Sequence, residues 1–382
     1  MIRLLLLLTL PLAALGKLVG RLLPLDNPGG LFFIIPFYHT GGAEKVHADI
    51  AACCAPERPW IFFAHRSRDT AFLARFRAAA RCFDIPLLLK YTFPFSVGVM
   101  AGLISRHPAP RLFGCNSLFF YLLLPHLAPH VRVIDLLHGL GGGAERFALP
   151  VLERIDQRVV ISPGVREELL AFYRAHGVSP ALDDRITVIS NRVSVAPALP
   201  DKATEGPLTA LFVGRGSEEK RVHLIARAAR RCRELGVAVE VTLVGDVADR
   251  LTREERAACR LTGPIGDEAA LTRLYRQSHL VLISSSREGF PLTLMEGMAQ
   301  GCVPVATAVG GIPDHIRHLD NGWLLPAEDE ESVVAGLVAA LRQLAEERQL
   351  TARLAAAAFA SAHAQFGGER FCADYRRLLQ LP

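Results

Sequence analysis

From Leu31 onward, short apolar runs alternate with longer stretches whose apolar positions recur at helical spacing. Leu31–Phe37, Trp60–His65, Ile85–Leu89, Arg111–Cys115, Val131–Leu137, Arg158–Ile161 and Ile186–Ser190 read as strands, each closed by a polar or Gly-rich break. LFFIIPF and WIFFA are almost unbroken apolar runs, as expected of strands covered on both faces. Strands alternating with helices mean a parallel sheet with crossover helices. Between Ser194 and Pro207 the chain turns Pro/Ala/Asp/Gly-rich, a linker signature. The alternation then restarts with Leu208–Val213, Val239–Val244, Leu280–Ser284 and Val303–Ala306, and from Glu328 the pattern is helical only. The fold class expected is α/β: two Rossmann-like domains, residues 28–197 and 198–382, with parallel sheets facing across a cleft. Ligands of such sheets bind outside the carboxyl ends of the strands.

Residues 1–27 form a hydrophobic N-terminal segment. Its Leu-rich run from Ile2 to Gly16 is too short for the ~20 apolar residues a bilayer span needs. Three readings stay open: a monotopic anchor whose Lys17 and Arg21 meet anionic headgroups, a signal peptide, or a helix packed on the protein's own core. A chain starting near Asn27 is expected to fold. The stretch RSRDTAFLARFRAAARCF, read as one helix, puts Phe72, Phe76, Ala79 and Phe83 on one face. Arg66, Arg68, Arg75, Arg77 and Arg81 flank that face, a second candidate for a membrane surface.

A length of 382 residues at ~150 per domain also suggests two domains. The formal charge of +5, with no Lys/Arg runs interleaved with aromatics, argues against nucleic-acid binding. Lysines are scarce (Lys17, Lys45, Lys90, Lys202 and Lys220), so a lysine at a motif position is unlike surface filler. The eight cysteines show no C-x-x-C pair and no zinc spacing, and read as free, buried thiols of a reducing compartment. His315 and His318 lack a third ligand nearby and read as a polar helix end.

Three segments carry candidate chemistry. In VLISSSREGFPLTLMEGMAQG a strand ends at Ser284 and a helix is expected to open with Pro291 as its first residue. That leaves the amides of Leu292 and Thr293 free to face an anion. Glu288 precedes the turn and Glu296 follows eight residues later. In LTALFVGRGSEEKRVHLI, Arg215 stands at the strand end and Lys220 in the first turn of a helix expected near Glu218. A cation in a first turn opposes the helix dipole, which makes sense if an anion sits there. Two cations and a helix terminus suit a diphosphate. In PFYHTGGAEKVHADI, Gly41 and Gly42 open a helix and permit close backbone approach to a phosphate or sugar. Gly139, Gly141 and Ala144, with Asp156 downstream, mimic a dinucleotide fingerprint, a weak match in a Gly/Ala-rich stretch. His138 stands at a strand's carboxyl end.

Together, over roughly residues 30–380, these segments resemble the retaining glycosyltransferases of group 1, which include many bacterial mannosyl-, glucosyl- and rhamnosyltransferases of the GT-B fold. The markers are the E-x7-E pair Glu288 and Glu296 within REGFPLTLMEGMAQGCVPVATAVGGIPDHI, FVGRGSEEK, and HTGGAEKVH. ISNRVSV departs from the family's Asn-Gly-Val-Asp-like pattern, so no role passes to Asn191. The resemblance implies a UDP-, GDP- or dTDP-sugar donor, no cofactor and no metal. It implies that Arg215 and Lys220 hold the diphosphate, with amides of Gly289, Phe290, Leu292 after Pro291, and the Gly41–Gly42 loop. Glu288 would bind sugar hydroxyls, Glu296 the ribose, main chain at Pro264 and Ile265 the base, and His138 would face the sugar near its anomeric carbon. Hexose would pass with retention to a hydroxyl of a lipid-linked, polysaccharide or lipopolysaccharide acceptor. The enzyme would be cytoplasmic, peripheral or monotopic at an anionic inner-membrane surface, and its last helix would cross back onto the first domain. A nucleotide-sugar epimerase and a non-catalytic nucleotide-sugar-binding membrane scaffold remain as alternatives.

Overall fold

A computed structural model describes residues 2–382, with side chains from Pro11 onward. The side chains of the Leu-rich run before Pro11 lie outside the described residues. The chain divides into two compact units, Met1–Ile189 with Cys372–Pro382, and Ser190–Phe371. The division falls at 189/190, ahead of the Ser194–Pro207 linker in which the sequence places the boundary at 197/198. That linker is pinned to the second unit: the half-buried Lys202 ammonium donates to the carbonyls of Tyr275, Ser278 and Gln300 at 2.7–2.9 Å.

The first unit holds β1 (Leu31–Ile35), β2 (Trp60–Phe63), β3 (Arg81–Asp84), β4 (Arg111–Cys115), β5 (Arg132–Leu137), β6 (Gln157–Val160) and β7 (Ile186–Val188). They form one sheet in the order β3-β2-β1-β4-β5-β6-β7, and every pairing is parallel. The second unit holds β8 (Leu208–Val213), β9 (Val239–Val244), β10 (Arg260–Gly263), β11 (Leu280–Ile283), β12 (Val303–Thr307) and β13 (Trp323–Leu325). These pair in parallel in the order β10-β9-β8-β11-β12-β13. Both sheets reverse direction of winding once, between β1 and β4 and between β8 and β11, the positions where ligands of open α/β sheets bind.

The apolar runs forecast most strands. The exception lies at Ile85–Leu89, which is not a strand: Pro86 opens a helix over Pro86–Thr92, and β3 ends at Asp84. Pro cannot donate to a ladder but suits a first helical turn. Consequently Arg66–Phe83 is not one helix. Only Leu73–Ala79 is helical, Phe76 and Ala79 are buried, and Phe83 lies on β3, stacked on Phe62 at 5.0 Å. Its aromatic face packs on its own sheet and offers nothing to a membrane. The short strands β10 and β13 were missed because each has only three or four residues and no strong apolar run.

Charge is buried in the first core. Arg158 Nε meets Asp135 Oδ2 at 2.9 Å, and neither side chain is exposed by more than 2%. Tyr121 donates to Asp135, and Arg158 donates to the Tyr173 hydroxyl. The second unit's two apolar clusters flank its sheet. The final helix, Gly368–Leu378, carries Cys372 in a disulfide with Cys53 and Arg376 in an ion pair with Glu57 at 2.9 Å. Free thiols were expected throughout. Six of the eight cysteines are free, and Cys53 and Cys372 are not, so cysteine usage no longer argues for a reducing compartment.

At the other terminus, α1 (Ile2–Leu22) runs straight through Gly16. Four more helices of this unit matter here: α2 (Gly42–Cys53), α3 (Leu73–Ala79), α4 (Pro86–Thr92) and α5 (Phe95–Ser105). Backbone meets backbone where α1 crosses α5: a Cβ on Gly20 would stand 2.0 Å from Val99 O, and one on Gly98 1.9 Å from Ala13 O. Only glycine allows helices to approach so closely. This contact means that α1 covers α5, and a chain starting near Asn27 would strip that cover rather than fold unchanged.

Candidate functional site

In the second unit, the loops after β8 and β11 are laced together. Ser284 Oγ donates to the carbonyls of Lys220 and Arg221, and Ser286 N donates to Glu219 O at 2.8 Å. Arg221, in the left-handed region at φ 45°, donates back to the carbonyls of Ser284 and Ser285. The stitching brings Lys220 Nζ to 2.6 Å from Glu288 Oε1, and Ser285 Oγ donates to the same oxygen at 2.6 Å. The pair sits at the winding reversal of this sheet. Gly310, at φ +52°, lies so close to Glu288 that a Cβ would fall 1.7 Å from the Glu288 carbonyl, and Gly311 N donates to Gly289 O. The loop carrying Glu288 is therefore held from both sides.

Two local expectations are corrected here. Pro291 is the N-cap of the helix Leu292–Ala299, not its first residue, with φ −71° and ψ 133°. Lys220 closes a separate 3-10 turn, Glu218–Lys220, and the helix proper starts at Val222 after Arg221. Lys220 thus points from a turn toward Glu288 rather than opposing a helix dipole. The amides of Leu292 and Thr293 remain those of a first helical turn, which lacks intrahelical acceptors. Arg215 is exposed just beyond β8. Glu296 accepts from the Tyr275 hydroxyl at 3.2 Å, a phenol that burial and the Glu296 charge keep protonated. Phe290 is buried and stacked on His315 at 4.1 Å. Past β10, Pro264 is exposed and Ile265 half-buried.

In the first unit, Gly41 caps α2 and Gly42 opens it, as the sequence suggested. The Glu44 carboxylate presses on Gly41, whose Cβ would lie 2.0 Å from Oε2, so negative charge already stands beside this loop. His138 follows β5 directly, and its Nε2 lies 3.0 Å from His47 Nε2 on α2. Burial depresses the basicity of both rings, that of His138 to about 4, so both are neutral near pH 7. Cys115, the last residue of β4, joins them: one ligand atom from each of the three lies within 4.8 Å of the others. Neither His47 nor Cys115 was singled out from the sequence. They come from different elements, and nothing in their spacing announces the convergence. The fingerprint mimic resolves as structure, since Glu145 accepts from the amides of Gly141 and Gly143, and Asp156 accepts from Val133 N. His315 bonds Gln365, and His318 accepts from Leu324 N, so the two do not share a ligand.

A family model for glycosyl transferases group 1 matches residues 207–343, which span Arg215, Lys220, Glu288 and Glu296. This segment is therefore similar to the glycosyl transferases group 1 family. Its likeness extends to characterised proteins. The chain is 32% identical over 114 residues to N-acetyl-alpha-D-glucosaminyl L-malate synthase of Bacillus anthracis, covering 30% of this chain and 29% of that protein. It is 28% identical over 152 residues to the putative colanic acid biosynthesis glycosyltransferase WcaL of Escherichia coli, covering 37% of each. The chain thus spans well under half the length of these relatives. Anabaena HepE, solved with UDP-glucose, superposes with a TM-score of 0.69 at 18% identity, covering 91% of this chain and 99% of that one. At that identity the likeness establishes the fold, which is GT-B: two parallel-sheet Rossmann-like units. The matched segment takes in the second unit's sheet together with its laced loops.

Proposed function

We propose that this chain is a retaining glycosyltransferase that moves a hexose from a nucleoside-diphosphate sugar to a hydroxyl acceptor. The observation that carries the reading is the Lys220–Glu288 contact, held between two laced loops beside a helix N-terminus within the segment similar to the group 1 family. A diphosphate would take over Lys220 and draw on exposed Arg215 and the Leu292 and Thr293 amides, neutralising charge on the leaving group. Glu288, released from Lys220 but still held by Ser285, would accept from donor-sugar hydroxyls. Glu296 and its Tyr275 partner suit the ribose, and main chain at Gly289, Phe290, Pro264 and Ile265 suits the rest of the nucleotide. Gly41, Gly42 and His138 retain the roles the resemblance implies, although Glu44 opposes a phosphate at the glycine loop. The bond from the anomeric carbon to the diphosphate breaks, the acceptor oxygen attacks the same face, and its proton passes to the leaving phosphate. No metal is required, because the cations are side chains. HepE was solved with UDP-glucose, which favours a UDP-sugar as the first donor to try. Screening UDP-, GDP- and dTDP-sugars for nucleoside diphosphate release tests this, with product anomer read by NMR and EDTA added in parallel. Release with none of them, or activity abolished by EDTA, would sink the respective claim. The epimerase and scaffold alternatives draw no support from the family match.

We further infer that the acceptor is membrane-bound, a lipid-linked or lipopolysaccharide glycan at the cytoplasmic leaflet where nucleotide sugars are made. Among the described residues no helix is long and apolar enough to cross a membrane. Yet α1, docked on α5 by one face, leaves Leu15 55%, Leu18 56% and Leu22 74% exposed, and α4 adds Leu87, Leu88 and Tyr91. Arg21 and Lys90 stand exposed among these residues, the pattern of an interfacial helix over anionic lipid. Leu15→Asn with Leu18→Asn should preserve folding, since neither side chain is buried, and reduce sedimentation with anionic vesicles several-fold. Equal sedimentation of the double variant and the parent would remove this surface from the membrane.

A further inference from the structure

The convergence of His47, Cys115 and His138 has no counterpart in the sequence motifs. The three arrive from α2, from the last residue of β4 and from the residue after β5, so a rigid parallel sheet and its first crossover helix set their spacing. A hydrogen bond between two imidazoles explains the 3.0 Å Nε2–Nε2 distance but not the thiol beside them. A tetrahedral zinc-class ion holds nitrogen at ~2.0–2.1 Å and sulfur at ~2.3 Å, which places such donor atoms roughly 3.3–3.7 Å apart. The observed separations, 3.0 Å between the nitrogens and no more than 4.8 Å overall, bracket that spacing, so adjustments of about an ångström or less would seat an ion. Neutral imidazoles are the ligand form of histidine. Burial first, and then the Asp135 and Glu44 charges, hold the Cys115 thiol protonated against the opposing pull of Arg158, so an incoming ion has to displace that proton. Two nitrogens and one sulfur select zinc or a similarly soft ion over magnesium or calcium, which prefer oxygen. His47 Nδ1 is buried with no hydrogen-bond partner, so this ring is not fully committed to a structural network.

We propose that His47, Cys115 and His138 form a binding site for a soft divalent cation of the zinc class, and that filling it inhibits the transferase. Binding forms two metal–nitrogen bonds and one metal–sulfur bond, displaces the Cys115 thiol proton to solvent, and leaves a fourth position for water. The inhibitory half rests on the reading of His138 as a donor-sugar contact, because a coordinated imidazole is withheld from the sugar. The full-length protein, stripped of metal, is titrated with cobalt and with zinc. One equivalent of cobalt should produce a thiolate-to-cobalt charge-transfer band, and zinc should bleach it. Cys115→Ser should abolish the band and weaken zinc binding beyond the ~10–100-fold typical of losing an outer-sphere partner. His47→Gln should weaken zinc binding while leaving Cys115 in place, which guards against misfolding of a single variant. Wild-type protein without the band, or Cys115→Ser binding zinc as tightly as wild type, would overturn the site. Zinc should also inhibit nucleoside diphosphate release in the wild type and not in Cys115→Ser, whose uninhibited rate should match the parent. Equal inhibition of both would overturn the regulatory half. The cobalt spectrum does not depend on turnover, so it decides the site even if the transferase reading fails.

Discussion

At the carboxyl ends of β1, β4 and β5 stand paired glycines, a thiol and two imidazoles that burial keeps neutral. At the ends of β8 and β11 stand Arg215, Lys220 and Glu288, with Lys220 and Glu288 locked in contact. The two sheets share a winding plan, and the difference shows how little the plan dictates about the chemistry. Topology fixes where side chains gather, at a reversal of strand order. Residue type fixes what they gather for: formal charge in one unit, and uncharged donors with soft ligands in the other. Charge is not confined to the second unit, since the buried ion pair Asp135–Arg158 belongs to the first.

The largest effect should come from breaking that buried pair. Asp135→Ala leaves the Arg158 charge without its carboxylate and should cost about 3–5 kcal/mol. Denaturant unfolding should then separate into two transitions, the first unit melting early and the second near its original midpoint. A single unshifted transition would mean that the pair contributes nothing distinctive to its unit.

Next in size is the charged pair of the second unit. Lys220→Ala removes a charge-assisted contact worth ~1.5–3 kcal/mol, so kcat/KM for donor consumption should fall roughly ten- to a hundred-fold. Combined with Glu288→Gln, the loss should be less than the sum of the single losses, because each partner touches the other. Additive losses, or normal kinetics in Lys220→Ala, would uncouple the loops from function. The smallest effects should separate the two glutamates. Glu288→Gln should mainly lower kcat, because its contact with the sugar strengthens as charge develops, whereas Glu296→Gln should mainly raise the donor KM. The reversed pattern would exchange their assignments.

Much of this was legible from apolar runs alone, because strands covered on both faces write near-continuous hydrophobic segments. β1, β2, β8 and β11 are of that kind. β3 was misplaced because its own residues are half-exposed, and the stronger apolar run that follows belongs to α4, where Pro86 starts a helix. The Glu288 and Glu296 motif pointed to the loop after β11 and the helix that follows it, but no sequence rule said that Lys220, 68 residues earlier, would reach Glu288. Nor could the linker's Lys202 be read as a peg, since its acceptors are three carbonyls and the Cys302 sulfur, which carry no sequence signal. Contacts made by backbone, or by residues from three separate elements, are invisible to motif and period.

The Cys53–Cys372 bond, described above as a fastening for the last helix, also changes how the molecule is connected. It closes a covalent ring that runs from residue 53 to residue 372 and takes in the whole of the second unit. Cutting the backbone once anywhere inside that ring opens it without dividing the molecule. A protease that nicks the Ser190–Pro207 segment would release no fragment, and the two pieces would part on a denaturing gel only after a reductant is added.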